Sequence, residues 1–261
     1  MPATSLSTHY NLFVTTTSPR RYVPRAATEA ALVWLERRIY GEAAAATLVT
    51  GAPGMGKSML LRVFAQRMRD RFRSVAIPGL DTDAATLCTM LLDLLKVPPG
   101  ADPEQTLLFH AAQLESRGSA LLVLIDDVHR LPLATAGRLG ALAETSGGLR
   151  IVAATVEVDP ALARALGANA TVALRTPMDP GETLAFVKAA LAASWATPET
   201  RALYDRTTIA RIHHEAQGVP GEVNRLAAAI ADGAVRDGFV AEPGRGLWRD
   251  TTPRRTGIVP L

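Results

Sequence analysis

Gly51-Ala52-Pro53-Gly54-Met55-Gly56-Lys57-Ser58 satisfies the pattern G-x-x-x-x-G-K-[ST] at every fixed position, and its flanks decide how it reads. Upstream, Thr47-Leu48-Val49-Thr50 is a short apolar, β-branched run suited to a buried parallel strand. Downstream, Met59-Leu60-Leu61-Arg62-Val63-Phe64-Ala65 opens a helical pattern. A loop between such a strand and the N-terminus of a helix aims backbone N–H groups at a phosphate. Gly51, Gly54 and Gly56 let the backbone turn where a Cβ would forbid it and approach a β-phosphate, with Pro53, Met55 and Met59 completing the contact stretch. Lys57 is placed to reach the β- and γ-phosphates, and the Ser58 hydroxyl to ligate Mg²⁺.

A second stretch belongs to the same chemistry. Ala120-Leu121-Leu122-Val123-Leu124-Ile125 is the continuous apolar run of a strand covered on both faces, and it ends in Asp126-Asp127. Ligands of open α/β sheets sit at the carboxyl ends of such strands, so Asp126 is the candidate to hold Mg²⁺ through water and Asp127 the candidate base. Further strands fit residues 74–77, 149–154 (ending at Thr155) and 171–174. The strand at 75–77 separates the phosphate-loop strand from the acidic strand in sequence. That order fits the ATPases that set another strand between the two in space better than nucleotide monophosphate kinases or small GTPases.

Helices fit residues 29–40, 84–95 and 104–116, with a Pro/Gly-rich break at 97–103. Beyond Pro177 the pattern is all helical. Asp179-Pro180-Gly181-Glu182 carries an N-cap acid, Pro at N1 and Glu at N3, the start of a helix to about Ser194. Two more helices fit 208–217 and 220–235. The chain thus divides into an N-terminal arm (1–28), an α/β core (29–177), a small helical unit (178–240) and a poorly ordered tail (241–261) carrying Arg254-Arg255.

The 261 residues are 48% hydrophobic and 20% charged, as in an ordinary globular protein. Cys88 is the sole cysteine, which excludes an internal disulfide, and it shares a helical face with Leu87, Leu91, Leu94 and Leu95, so it reads as core. No Cys/His spacing resembles a zinc site, and adjacent His213 and His214 point about 100° apart on a helix. There is no signal peptide and no apolar run of about 18 residues, which argues for a cytoplasmic protein without direct membrane insertion. A net charge of +3 does not by itself demand nucleic acid. Arg62, Arg69 and Arg73, with Arg67 and Arg71 nearby, read as a solvated face of the helix after the phosphate loop, or alternatively as a basic stripe for DNA or an acidic partner.

The phosphate loop, the Asp-Asp strand, the polar residue closing the next strand and the helical C-terminal unit together resemble the AAA+ ATPases. More narrowly, Tyr10-Asn11-Leu12-Phe13, the segment Leu124 to Leu131 and Gln217-Gly218-Val219-Pro220-Gly221-Glu222-Val223-Asn224-Arg225-Leu226 resemble the ExeA/GspA group, relatives of the TniB/MuB-type transposition ATPases. The resemblance implies a three-layer α/β sandwich on a parallel five-stranded sheet, followed by a helical lid. It implies ATP and Mg²⁺ as ligands, assembly into homo-oligomers, and action on a protein partner or on DNA. Thr155 would then be the sensor 1 residue that helps place the attacking water.

Three positions depart from that pattern. Asp127 stands where most members carry glutamate, and its shorter side chain sets the carboxylate back. Gly221 occupies the place of the lid arginine in G-x-P-R, with Arg225 one turn later as the substitute. No arginine finger is evident before the fifth strand, Arg164 being the nearest candidate. The expected activity is therefore slow ATP hydrolysis. Two alternatives stay open: a DNA-binding regulator in which ATP promotes filament formation, and a non-hydrolysing, nucleotide-bound scaffold.

Overall fold

The computed structural model describes Phe13 and residues 18–40, 46–194 and 196–236. Residues 1–12, which include Tyr10, Asn11 and Leu12, residues 14–17 and the tail from 237 onward lie outside the described residues.

Among these residues the strands are β1 (Ala46–Thr50), β2 (Phe72–Pro78), β3 (Ala120–Asp126), β4 (Leu149–Thr155) and β5 (Ala168–Ala173), joined in one sheet of order β2-β3-β4-β1-β5. Every pairing is parallel. The apolar run of β3 explains its place inside the sheet. Leu121, Val123 and Ile125 enter one core cluster while Leu122 and Leu124 enter the other, so alternate side chains fill opposite faces. β4 lies between the phosphate-loop strand and the acidic strand, as the motif order anticipates. β5 begins three residues earlier than its β-branched pair Thr171-Val172 suggests, because pairing with β1 already starts at Ala168, just after a left-handed turn at Gly167.

Helices α1 (Ala26–Tyr40) and α2 (Lys57–Met68) cover one face with Leu32, Leu35, Leu60 and Phe64. The other face carries α3 (Ala84–Leu95), α4 (Pro103–Ser116), α5 (Leu133–Thr145) and α6 (Pro160–Ala165), which pack Leu87, Leu91, Leu107 and Leu139 against it. A separate cluster is built by α7 (Pro180–Ala193), α9 (Arg206–Ala216) and α10 (Pro220–Arg236), with Phe13 buried among them and Ala196 and Tyr204 added from either side of the short α8 (Pro198–Ala202). Local chemistry sets several starts. Asp83, Asp102, Asp159 and Asp205 accept first-turn N–H groups, and Asp179 with Glu182 forms a complete capping box.

The structure corrects two readings. α1 starts at Ala26 rather than Glu29, which takes the end of the supposed arm into the core. The basic stripe is not one helix face: α2 ends at Met68, Arg69 caps it, and Arg73 stands on β2. Arg67 pairs with Glu29 and Glu36, and Arg69 with Asp70.

Cys88 is 1% exposed, and burial pushes its thiol up to about 12, with Glu104 and Asp102 adding to the effect. Relative to a free thiol, thiolate at pH 8 is depleted by about a thousandfold. Iodoacetamide followed by mass spectrometry should therefore leave the native chain unlabelled and label it promptly in denaturant. Equal labelling in both conditions would contradict the burial.

Candidate nucleotide site

Gly54 and Gly56 adopt φ of 79° and 94°, left-handed values that a residue with a Cβ rarely takes, and they swing the chain from β1 into α2. No side chain caps α2, so its first-turn N–H groups face the loop's hollow, as an anion requires. Lys57 begins the helix and is 8% exposed. Its Nζ donates to Gly51 O at 2.7 Å and to Ala52 O at 3.2 Å. Burial lowers its pKa, while the carboxylates of Asp127 and then Asp126 oppose that fall.

The acidic pair is shaped by a sharp turn. Asp127 has a left-handed φ of 50° and leads from β3 into a single turn of 3₁₀ helix, Val128–Arg130. Asp126 Oδ1 accepts the Asp127 N–H at 3.1 Å. Asp127 lines the cavity, and Asp126 does not. Thr155 closes β4 opposite Thr50 and is 2% exposed; its neighbour Val156 reaches the cavity.

The cavity, about 510 Å³, lies over the phosphate loop and is within the range of small-molecule sites. Residues 53–59 form its floor, which brings Pro53, Gly54, Met55, Gly56, Lys57, Ser58 and Met59 together; Gly51 lies just outside the lining. Two walls come from places that the motifs do not mark. One is the segment from Arg20 to Arg25, where the Tyr22 hydroxyl lies 2.8 Å from Thr28 Oγ1 and 2.9 Å from Glu29 Oε1. The other is Phe186, Ala189, Ala190 and Ala193 of α7. These recur at i, i+3, i+4 and i+7, a second apolar stripe beside the Val187/Leu191 stripe that faces the lid core. That doubled periodicity was the available signal.

The roof is α10. Gly221 N–H donates to Gly54 O at 2.9 Å, so helical unit and phosphate loop touch through backbone. Arg225 does not line the cavity. It is exposed, and its Nε donates to Glu222 Oε2 at 2.8 Å; the polar side chain that α10 does bring to the cavity is that of Asn224. Arg164 likewise turns back on its own helix, donating to Pro160 O. His129 is exposed, and His213 Nδ1 lies 2.8 Å from Thr183 Oγ1. Glu182 joins core and lid: its carboxylate accepts from Ala26 N and lies 3.6 Å from Arg25 Nε.

A glycine-turned loop, a buried lysine at a helix start and a carboxylate just past a strand end line one cavity above a parallel sheet, the arrangement expected of a P-loop nucleotide site. Residues 40–162 match the model of the AAA domain family, and the whole arrangement is the AAA+ P-loop NTPase fold. Solved structures with this fold include Cdc6p from Pyrobaculum aerophilum, at 20% identity and a TM-score of 0.62 over 88% of this chain and 66% of that one. A Walker-type ATPase of Pyrococcus abyssi matches at 15% identity and 0.64, over 88% and 73%. The ORC1 protein of Aeropyrum pernix, solved in complex with DNA, matches at 12% and 0.61, over 88% and 65%. The chain thus spans just under two thirds of the Cdc6p and ORC1 chains. No curated protein matches it in sequence.

Proposed function

We propose that this chain is an ATP-binding AAA+ protein that hydrolyses ATP slowly and couples the nucleotide state to assembly with further copies or with a protein partner. The observation that carries the reading is the roofed cavity in which Lys57 and Asp127 face each other across the P-loop. Phosphates fit the loop because its N–H groups are uncapped. Mg²⁺ would be held by Ser58, which lines the cavity, and through water by Asp126 at the end of β3, since that ion needs only one or two protein ligands besides phosphate and water. When bound, Mg²⁺ would neutralise charge on the phosphates. In this assignment Lys57 and the loop N–H groups hold the phosphates, Asp127 orients and deprotonates the attacking water, and Thr155 polarises it from β4.

Within the AAA+ class the segments around Asp126 and Pro220 resemble the ExeA/GspA group, which favours a partner-coupled ATPase. Slow turnover follows from the short Asp127 side chain and from a lid that, among the described residues, brings no arginine to the cavity, because water positioning tolerates little displacement. That second observation also supports the scaffold reading, in which nucleotide is held and not turned over. DNA as a partner rests on the fold it shares with the DNA-bound ORC1 protein, since the arginines do not form one face. Among the described residues no helix is long and apolar enough to cross a membrane.

The test is ATP binding by titration, followed by phosphate release across a protein concentration series. Turnover per subunit that rises with concentration and falls in Asp127→Asn, with ATP affinity retained, supports an assembly-dependent ATPase. Flat, near-zero turnover with intact binding supports the scaffold. No binding of ATP would refute both.

A further inference from the structure

We propose that Phe13 is a positioning residue for the nucleotide: it fastens the N-terminal segment into the lid and so fixes the wall which that segment gives to the cavity. The inference deepens the nucleotide reading and rests on it. Phe13 is 2% exposed and sits in the apolar cluster of the lid, although it lies far from the lid in sequence. Its ring centroid is 5.4 Å from that of Tyr204, tilted by 45°, a favourable aromatic geometry. Tyr204 in turn donates to Ala227 O of α10 at 2.6 Å. The Phe13 carbonyl accepts from Asn224 Nδ2 at 2.9 Å, again on α10.

Phe13 and Asn224 both line the cavity, and so does Tyr22, which is tied to the core through Thr28 and Glu29. The segment is therefore anchored to the lid at one point and to the core at another, and the cavity touches both anchors. Arg25 adds a further tie, donating to Thr176 O at 2.7 Å beside the lid's Glu182. A ligand that fills the cavity contacts lid, segment and core together, so its binding energy stabilises their joint arrangement. Conversely, a segment released from the lid must be ordered at the moment of binding, and affinity falls by that cost. The phosphate loop meets this chain of contacts at the Gly221 N–H to Gly54 O backbone bond, which needs neither Phe13 nor Tyr204, and it keeps its own grip on phosphate.

The experiment compares two probes, ATP and inorganic tripolyphosphate, on the full chain carrying Phe13→Ala, Phe13→Leu or Tyr204→Leu. Tyr204 does not line the cavity, so its substitution reaches the ligand only through the lid packing that holds Phe13. The expected result is a Kd for ATP raised about tenfold in Phe13→Ala and Tyr204→Leu, a smaller rise in Phe13→Leu, and an unchanged Kd for tripolyphosphate. Residues 18–25 should lose the hydrogen-exchange protection that ATP confers on the unsubstituted chain. Unchanged ATP affinity in variants with native circular dichroism would overturn the proposal, as would an equal loss for both probes, which marks general destabilisation. Should Phe13→Ala not fold, Phe13→Leu and Tyr204→Leu decide by the same split between probes. Failure of the unsubstituted chain to bind ATP would instead refute the nucleotide reading itself.

Discussion

Lys57→Ala should leave a folded chain whose affinity for Mg·ATP has dropped by about thirty- to a hundredfold. The ammonium lies at the head of α2, over the phosphate loop, and donates to two loop carbonyls, Gly51 O and Ala52 O. Charge-assisted hydrogen bonds contribute about 1.5–3 kcal/mol each, and every 1.4 kcal/mol is tenfold in Kd. Losing the ammonium also leaves Asp126 and Asp127 without their nearby positive charge, which repels an incoming polyphosphate. Folding should suffer little, because a buried ammonium is costly to desolvate and water can reach the exposed Ala52. Lys57→Met, which fills similar space, separates charge from packing: its ATP affinity should fall as far. Isothermal titration of both variants checks this, and native-like affinity in either would remove Lys57 from the site.

The second large effect runs against what the motif suggests. Gly221→Arg, which writes the missing lid arginine into G-x-P-R, should weaken ATP binding by about tenfold and lower turnover further. A Cβ at Gly221 would stand 2.8 Å from Gly54 Cα and 3.3 Å from Gly54 O. Both are backbone atoms of a loop fixed by β1 and α2, so neither can give way as a side-chain tip would. Overpacking of this kind costs about 1–3 kcal/mol, and here the cost falls on the contact that seats α10 on the loop. Gly221→Ala should show most of the same loss, since the first carbon already collides. If Gly221→Arg instead raised turnover while Gly221→Ala was neutral, the lid would have to ride higher over the loop than the 2.9 Å contact between Gly221 N and Gly54 O permits.

The sheet and the floor of the site were legible because their signals are local. The loop glycines, the Lys-Ser pair and the six-residue apolar run of β3 each state their role within a few positions. The walls were not legible for a physical reason: they are assembled from elements distant in sequence. Tyr22 and Val23 sit between arginines and prolines that read as an arm, and the apolar stripe of α7 from Phe186 to Ala193 merges with the stripe that packs the lid. The basic stripe failed because spacing alone carried Arg73 past the end of α2 onto β2. Arg225 failed because one turn of helix carries a side chain away from the cavity as easily as toward it, and Glu222 was there to meet it. α5 has no side-chain cap at its start, and α8, although capped by Thr197 with Pro198 after it, is only five residues long and too short to show a helical period.

The sheet order has a bearing on synthesis. β1 pairs only with β4 and β5, both later in the chain than β2 and β3. As the chain leaves the ribosome, β2 and β3 can pair as soon as Asp126 has emerged, while the phosphate-loop strand waits for β4 until Thr155 is made and is flanked on both sides only when Ala173 is made. At ~5–20 residues per second, the wait from Thr50 to Ala173 is on the order of ten seconds. Until Thr155 is made, Thr47 to Thr50, an apolar segment destined for full burial, is without either of its partners, and until Ala173 it still lacks β5. The nucleotide pocket is thus among the last parts of the core to form, and a nascent chain stalled before β5 would carry the whole phosphate-loop motif and still have no site.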